Sequence, residues 1–271
     1  MPAKPALVPR LFASAAVAAV LALPLGGCKT TGDDLVTGSV TAPEAPRTDA
    51  DWRRSLDVWG ARYRDNPNDA NAAVAYARAL RATDQRPQAV AVLQQAAIRN
   101  PNNMPLLGEY GRALADAGDY NQALDVLSRA HTPDNPDWRV LNAQGAVLDQ
   151  LGRYTEAQQH YSAALRIVPG EPSVLSNLGL SYALTKDLPR AETTLRQAMA
   201  RRDAAPKVRQ NLALVVGLQG RFAEAEQIAR ADLPPDEAAA NVAYLKQMLA
   251  ERSQWAKKGG RPHLPAPDAG T

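Results

Sequence analysis

The chain has 271 residues, enough for one or two ordinary domains, and 45% of them are apolar, a globular rather than a disordered composition. Alanine is abundant, phenylalanine occurs only twice and β-branched runs are few, which favours helices over sheets. The net charge of +3 is too small to point to nucleic acid, and a single cysteine excludes an internal disulfide.

Residues 1–27 read as a secretory signal. Lys4 and Arg10 give a positive start, and the apolar run over residues 11–25 is shorter than the about 20 residues that a membrane-spanning helix needs. Removing this segment takes away two bases and no acid, so the net charge falls to +1 and no nucleic-acid partner is expected. The lone cysteine follows at once in "LGGC", residues 25–28. This resembles the lipobox of bacterial lipoproteins. The resemblance implies that Cys28 receives a diacylglyceryl group, becomes the first residue after cleavage and is N-acylated, commonly with palmitate. Several acyl chains anchor stably where one binds only marginally. A catalytic or metal-binding thiol would need an electropositive pocket or partner ligands, and the sequence around Cys28 offers neither. Under the lipoprotein sorting rule of enteric bacteria, Lys29 in place of aspartate implies the outer membrane, with the chain on its periplasmic face. Residues 28–50 are expected to form the lipidated cysteine and a flexible tether, averaging about 25 Å end to end.

The rest of the chain repeats itself every 34 residues. Ala89, Ala123, Ala157, Ala191 and Ala225 keep that spacing, and so do the small residues Ala77, Gly111, Gly145, Gly179 and Ala213. Leu80, Leu114, Leu148, Tyr182 and Val216 form a third column, and a fourth holds Tyr76, Tyr110, Leu178 and Leu212, with Gln144 as its exception. The pattern resembles the tetratricopeptide repeat. It implies an all-α, right-handed superhelical solenoid of antiparallel helix pairs, with units at 70–103, 104–137, 138–171, 172–205 and 206–239. "AGDY", "LGRY" and "QGRF" place glycine at the end of first helices, where the fourth unit has Lys186, and Pro101, Pro136 and Pro169 are expected to close second helices. Residues 51–69, with Trp52, Leu56, Trp59 and Tyr63 at helical spacing, and residues 236–255 read as capping helices. Residues 256–271 read as a disordered tail. The exposed Trp52, Trp59 and Trp255 either cap the stack or support self-association.

Catalytic signatures are missing from the sequence. The three histidines, His131, His160 and His263, are scattered, His160 is expected to face outward or be satisfied, and no HExxH, GxSxG, GxxxxGK or CxxC motif occurs. The expectation is a non-enzyme with no metal and no cofactor. Function should lie on the concave face built by first helices. Its candidate residues are Asn71, Arg78 and Arg81, then Arg112 and Asp116, then Arg139, Asn142 and Asp149. Ser173, Ser176 and Asn177 follow, and Lys207, Gln210 and Asn211 complete the set. Arginine and asparagine there can hold a partner's carboxylates or backbone amides. The chaperone-tail carboxylate clamp does not fit, because its first lysine column holds Val74, Gly108, Asn142, Ser176 and Gln210.

Beyond the generic repeat, "LSRAHTPDNPDWRVLNAQGAVLDQLGRYTEAQ", "GEPSVLSNLGLSYALTKDLPRAE", "VRQNLALVVGLQGRFAEAE" and "ANVAYLKQML" resemble the tetratricopeptide lipoprotein of the tight-adherence (Flp) pilus system, over residues 75–249. That resemblance implies an outer-membrane assembly factor with a pilotin-like role for a secretin, and a protein or extended peptide partner from the pilus apparatus. A scaffold or regulator of other cell-envelope biogenesis enzymes is the alternative.

Overall fold

A computed structural model describes residues 48–201 and 204–257 of the chain. The expected signal segment, Cys28, the expected tether up to residue 47, the expected tail beyond residue 257 and the Trp255 side chain lie outside the described residues. Twelve helices and no strand occur among the described residues. They are α1 (Asp49–Asp65), α2 (Ala70–Ala82), α3 (Arg86–Arg99), α4 (Met104–Asp116), α5 (Tyr120–Ser128) and α6 (Trp138–Gln150). After them come α7 (Tyr154–Ile167), α8 (Pro172–Leu184), α9 (Leu188–Met199), α10 (Pro206–Leu218), α11 (Phe222–Ala229) and α12 (Pro235–Lys257).

The first helix of each unit starts at the same repeat position. In the first four units a side-chain cap explains why, whereas Ala205 precedes the fifth without one and Pro206 opens that helix. Asp69, Asn103, Asp137 and Glu171 stand 34 residues apart, and each side chain accepts a backbone N–H from the first turn of its helix. The ends of these helices repeat as well. Asp84, Gly118, Gly152, Lys186 and Gly220 all take positive φ, from 61 to 87°. The next residue in each case donates its backbone N–H to the carbonyl five residues back, at 2.8–3.2 Å, closing a Schellman turn.

Packing gives the repeated columns their meaning. Each helix packs on the next, and α2, α4, α6, α8 and α10 also pack in series, whereas neighbouring second helices make no such contact among the described residues. The first helices are therefore the inner, concave layer and the second helices the splayed outer one. The five column alanines of the second helices are fully buried. Opposite them, a Cβ added at Gly111 would come within 2.5 Å of Leu127, at Gly145 within 2.5 Å of the Tyr161 ring, and at Gly179 within 2.7 Å of Leu195. These first-helix positions must be small because a large second-helix side chain already fills the space.

Three boundaries differ from the sequence reading. Asp49 and Ala50 are not part of the expected tether, because Thr48 caps α1 in a capping box with Asp51 and draws both into the helix. α12 starts at Pro235 and runs to Lys257, past the expected end at 255. Pro136 does not close α5, which ends at Ser128, and Ala130 of the small-residue column lies beyond it, though still buried. Pro133 accounts for this. It has no N–H to give to residue 129 and disfavours helical backbone at Thr132, whose carbonyl instead accepts from Asn135 at 3.1 Å.

Candidate protein-binding groove

The inner layer carries a cavity of about 600 Å3 between α2 and α10, within the range of ligand-binding clefts. Of the residues expected on the concave face, Arg81, Arg112, Asp116, Arg139, Asn142, Ser173 and Asn177 line it. Trp138, Ala115, Ala143, Ala146 and Val208 supply apolar wall between them. The Arg139 guanidinium sits 4.5 Å from the centre of the Trp138 ring, a cation–π contact that broadens this wall.

Three polar pairs on the inner face cross repeat boundaries with the same offset of 35 residues. Arg81 Nε donates to Asp116 Oδ2 at 2.6 Å, Asn177 Nδ2 to Asn142 Oδ1 at 3.0 Å and Asn211 Nδ2 to Ser176 Oγ at 2.9 Å. One repeat plus one residue is the step that brings a first helix against its successor. Ser176 is buried by this contact, and Asn211 is half-buried.

A buried acid anchors the arginine-rich end. Glu109 on α4 is 3% exposed, and Arg78 donates to its Oε1 from Nε at 3.1 Å and from Nη2 at 2.6 Å. Arg112 donates to the same oxygen at 2.5 Å, and Arg81 Nη1 reaches Oε2 at 3.4 Å. Burial alone would raise the Glu109 pKa. The charges of Arg112 and Arg78, with their hydrogen bonds, override it and hold the carboxyl down at about 2. The carboxylate thus stays ionised and fixes three guanidinium groups in place.

Asp149 behaves in the opposite way. It accepts from Ser181 Oγ at 2.7 Å and from Tyr161 OH at 2.9 Å, joining α6, α7 and α8, and no cation offsets its burial. Burial pushes its carboxyl up to about 6, against the pull of the two hydroxyl hydrogen bonds. Burial and the nearby Asp149 charge raise the Tyr161 phenol in turn. Asp149 is thus a clip between helices and not part of the cavity wall.

The remaining expected residues stand apart from this network. Asn71 and Lys207 are exposed in the first turns of α2 and α10, and Gln210 is half-buried outside the cavity wall. The histidines are less scattered than their spacing suggests. His131, in the loop after α5, lies close enough to oppose positive charge on His160, whose pKa is lowered first by burial and then by His131. His160 is half-buried, neither outward-facing nor satisfied, since the Nδ1 atoms of both rings are buried without a hydrogen-bond partner among the described residues. No group of three or more potential metal ligands occurs among the described residues. No described helix is long and apolar enough to cross a membrane.

The sequence reading missed Glu109 and Trp138. Glu109 occupies the repeat column that holds Asn177 and Asn211, so an acid in an inner-face column was its available signal.

Three tetratricopeptide-repeat family models match residues 75–137, 138–204 and 208–231, together more than half of the chain. This chain is a tetratricopeptide-repeat protein. Among solved structures, it matches PilW, described as a widely conserved type IV pilus biogenesis factor, at 16% identity and a TM-score of 0.63. That match covers 72% of this chain and 91% of PilW. Cut9–Hcn1 of the APC/C hetero-tetramer matches at 14% identity and a TM-score of 0.59, covering 78% of this chain. Human IFIT1 in its dimer with PPP-AAAA matches at 16% and 0.59, covering 77% of this chain. The chain spans 44% of the Cut9–Hcn1 chain and 52% of IFIT1. At these identities the likeness is one of fold. No curated protein matches the sequence.

Proposed function

We propose that this protein is a lipid-anchored adaptor on the periplasmic face of the outer membrane. Its inner groove binds an extended segment of a pilus secretion apparatus and so assists assembly of the Flp pilus secretin. The observation that carries this reading is the groove itself, a continuous concave surface of arginine, asparagine and small apolar side chains. Tetratricopeptide repeats are a protein-interaction scaffold, and here the scaffold follows a lipobox-like "LGGC" and a polar tether. The likeness of the between-repeat stretches to tight-adherence lipoproteins, and a pilus biogenesis factor among proteins of the same fold, support the choice of apparatus. Deleting the protein should abolish secretin multimers and surface pili. Normal multimers and normal pili in the deletion strain would sink this reading.

A further inference from the structure

The groove is chemically uneven along its length, and the arginine end has donors to spare. Glu109 is an internal counter-ion with a side chain only 4% exposed, while the Arg81 and Arg112 side chains that hold it remain 24% and 27% exposed. Arg81 spends Nε on Asp116 and Nη1 on Glu109, and its Nη2 meets no acceptor among the described residues. Arg112 spends Nη2 on Glu109, and its Nε and Nη1 are likewise unspent. Both side chains line the cavity, next to Trp138 and the alanines of its wall. The far end, by contrast, carries the neutral pair Asn142–Asn177, with Ser173 and the acidic cap residue Glu171 in the same wall.

A guanidinium held in place loses less entropy on binding than a free one, and its planar fork matches a carboxylate. We propose that Arg81 and Arg112 form a carboxylate-binding subsite at this end of the groove. It takes the side chain of an Asp or Glu, or the terminal carboxylate, of an extended partner segment whose remainder lies along the neutral amides. This rests on the reading of the groove as a peptide-binding surface and adds the chemistry that the partner must bring.

The test is an array of random dodecapeptides probed with the purified full chain. Each peptide is made with an amidated C-terminus, as a copy with Asp and Glu changed to Asn and Gln, and as a copy with a free terminal carboxylate. The peptides that bind should be acidic, or bind only with a free terminus, and their neutral copies should bind at least tenfold more weakly. Which copy retains binding identifies the source of the carboxylate. Arg112→Gln and, separately, Arg81→Gln should each weaken binding about tenfold, and raised salt should weaken it further. Arg166→Gln on the outer layer should change nothing, and circular dichroism would show that each variant keeps its helices. Peptides bound without enrichment in acids, or neutral copies bound equally well, would overturn the subsite alone. Binding of no peptide at all would overturn the peptide-groove reading together with it. Acidic peptides bound by the purified protein, together with normal pili in the deletion strain, would leave the subsite standing and remove the pilus assignment.

Discussion

Two carboxylates of the inner layer respond to pH with opposite signs. Glu109 has a folded pKa of about 2, below its ordinary 4.5, so its contribution is complete above pH 4.5 and disappears as pH falls toward 2. Asp149 has a folded pKa of about 6, above its ordinary 3.8. The fold favours its protonated form, and that contribution is complete below pH 3.8 and lost as pH rises through 6. Glu109→Gln should therefore cost about 2–4 kcal/mol at pH 7, with the deficit closing in acid. Asp149→Asn should melt no lower than the parent at pH 7.5 and have a flatter dependence of Tm on pH between 4 and 6.5. Thermal melts across pH 3–8 check both, and equal slopes for parent and Asp149→Asn would count against the assignment. A third residue-scale expectation concerns Gly145, which faces a Tyr161 ring already held by Asp149. Gly145→Ala should cost about 2–3 kcal/mol by overpacking, read from urea denaturation at unchanged m.

At the scale of the element, the helix ends carry most of the local specification. The fourth unit uses Lys186 at a left-handed position where three other units use glycine. Lys186→Gly should stabilise by about 0.5–1 kcal/mol, the relief of backbone strain exceeding the entropy that glycine adds to the unfolded chain. A Tm that does not rise would show that the turn tolerates lysine at no cost. The all-helical superhelix was legible in the 34-residue columns because each column meets a fixed neighbour, as Gly111 meets Leu127. The end of α5 was not, since Pro133 lies five residues beyond Ser128, at a position that no repeat column marks. The residues of the groove were legible as types on one helix face, but not their partners. Asn142 and Asn177 pair only because successive first helices are displaced by one residue, a feature of packing rather than of either helix. Glu109 escaped notice because an acid in an apolar neighbourhood makes sense only once Arg78 and Arg81 arrive from another helix.

At the scale of the molecule, α1 and α12 act as half-units, α1 packing on α2, and α12 on both α10 and α11. The Tyr63 and Tyr76 rings lie 5.9 Å apart at the first junction, and Leu245 fills the space beside Gly217 at the last. The folded part thus ends in its own caps, independent of any membrane attachment at Cys28. Cys28→Ser should leave the helical circular-dichroism spectrum unchanged while releasing the protein from membrane fractions or blocking its processing. A serine variant that still fractionates with the outer membrane would make the groove or its partner the true anchor.

The inner layer also behaves as a ruler. Its five first helices are in contact one after another, whereas the outer helices are not, so the inner face sets a repeat distance of roughly 8–10 Å per unit. Four such steps span about 32–40 Å, and an extended chain advances about 3.3 Å per residue. The groove therefore measures a segment of about a dozen residues, and a partner shorter than that would have to choose between the arginine end and the amide end.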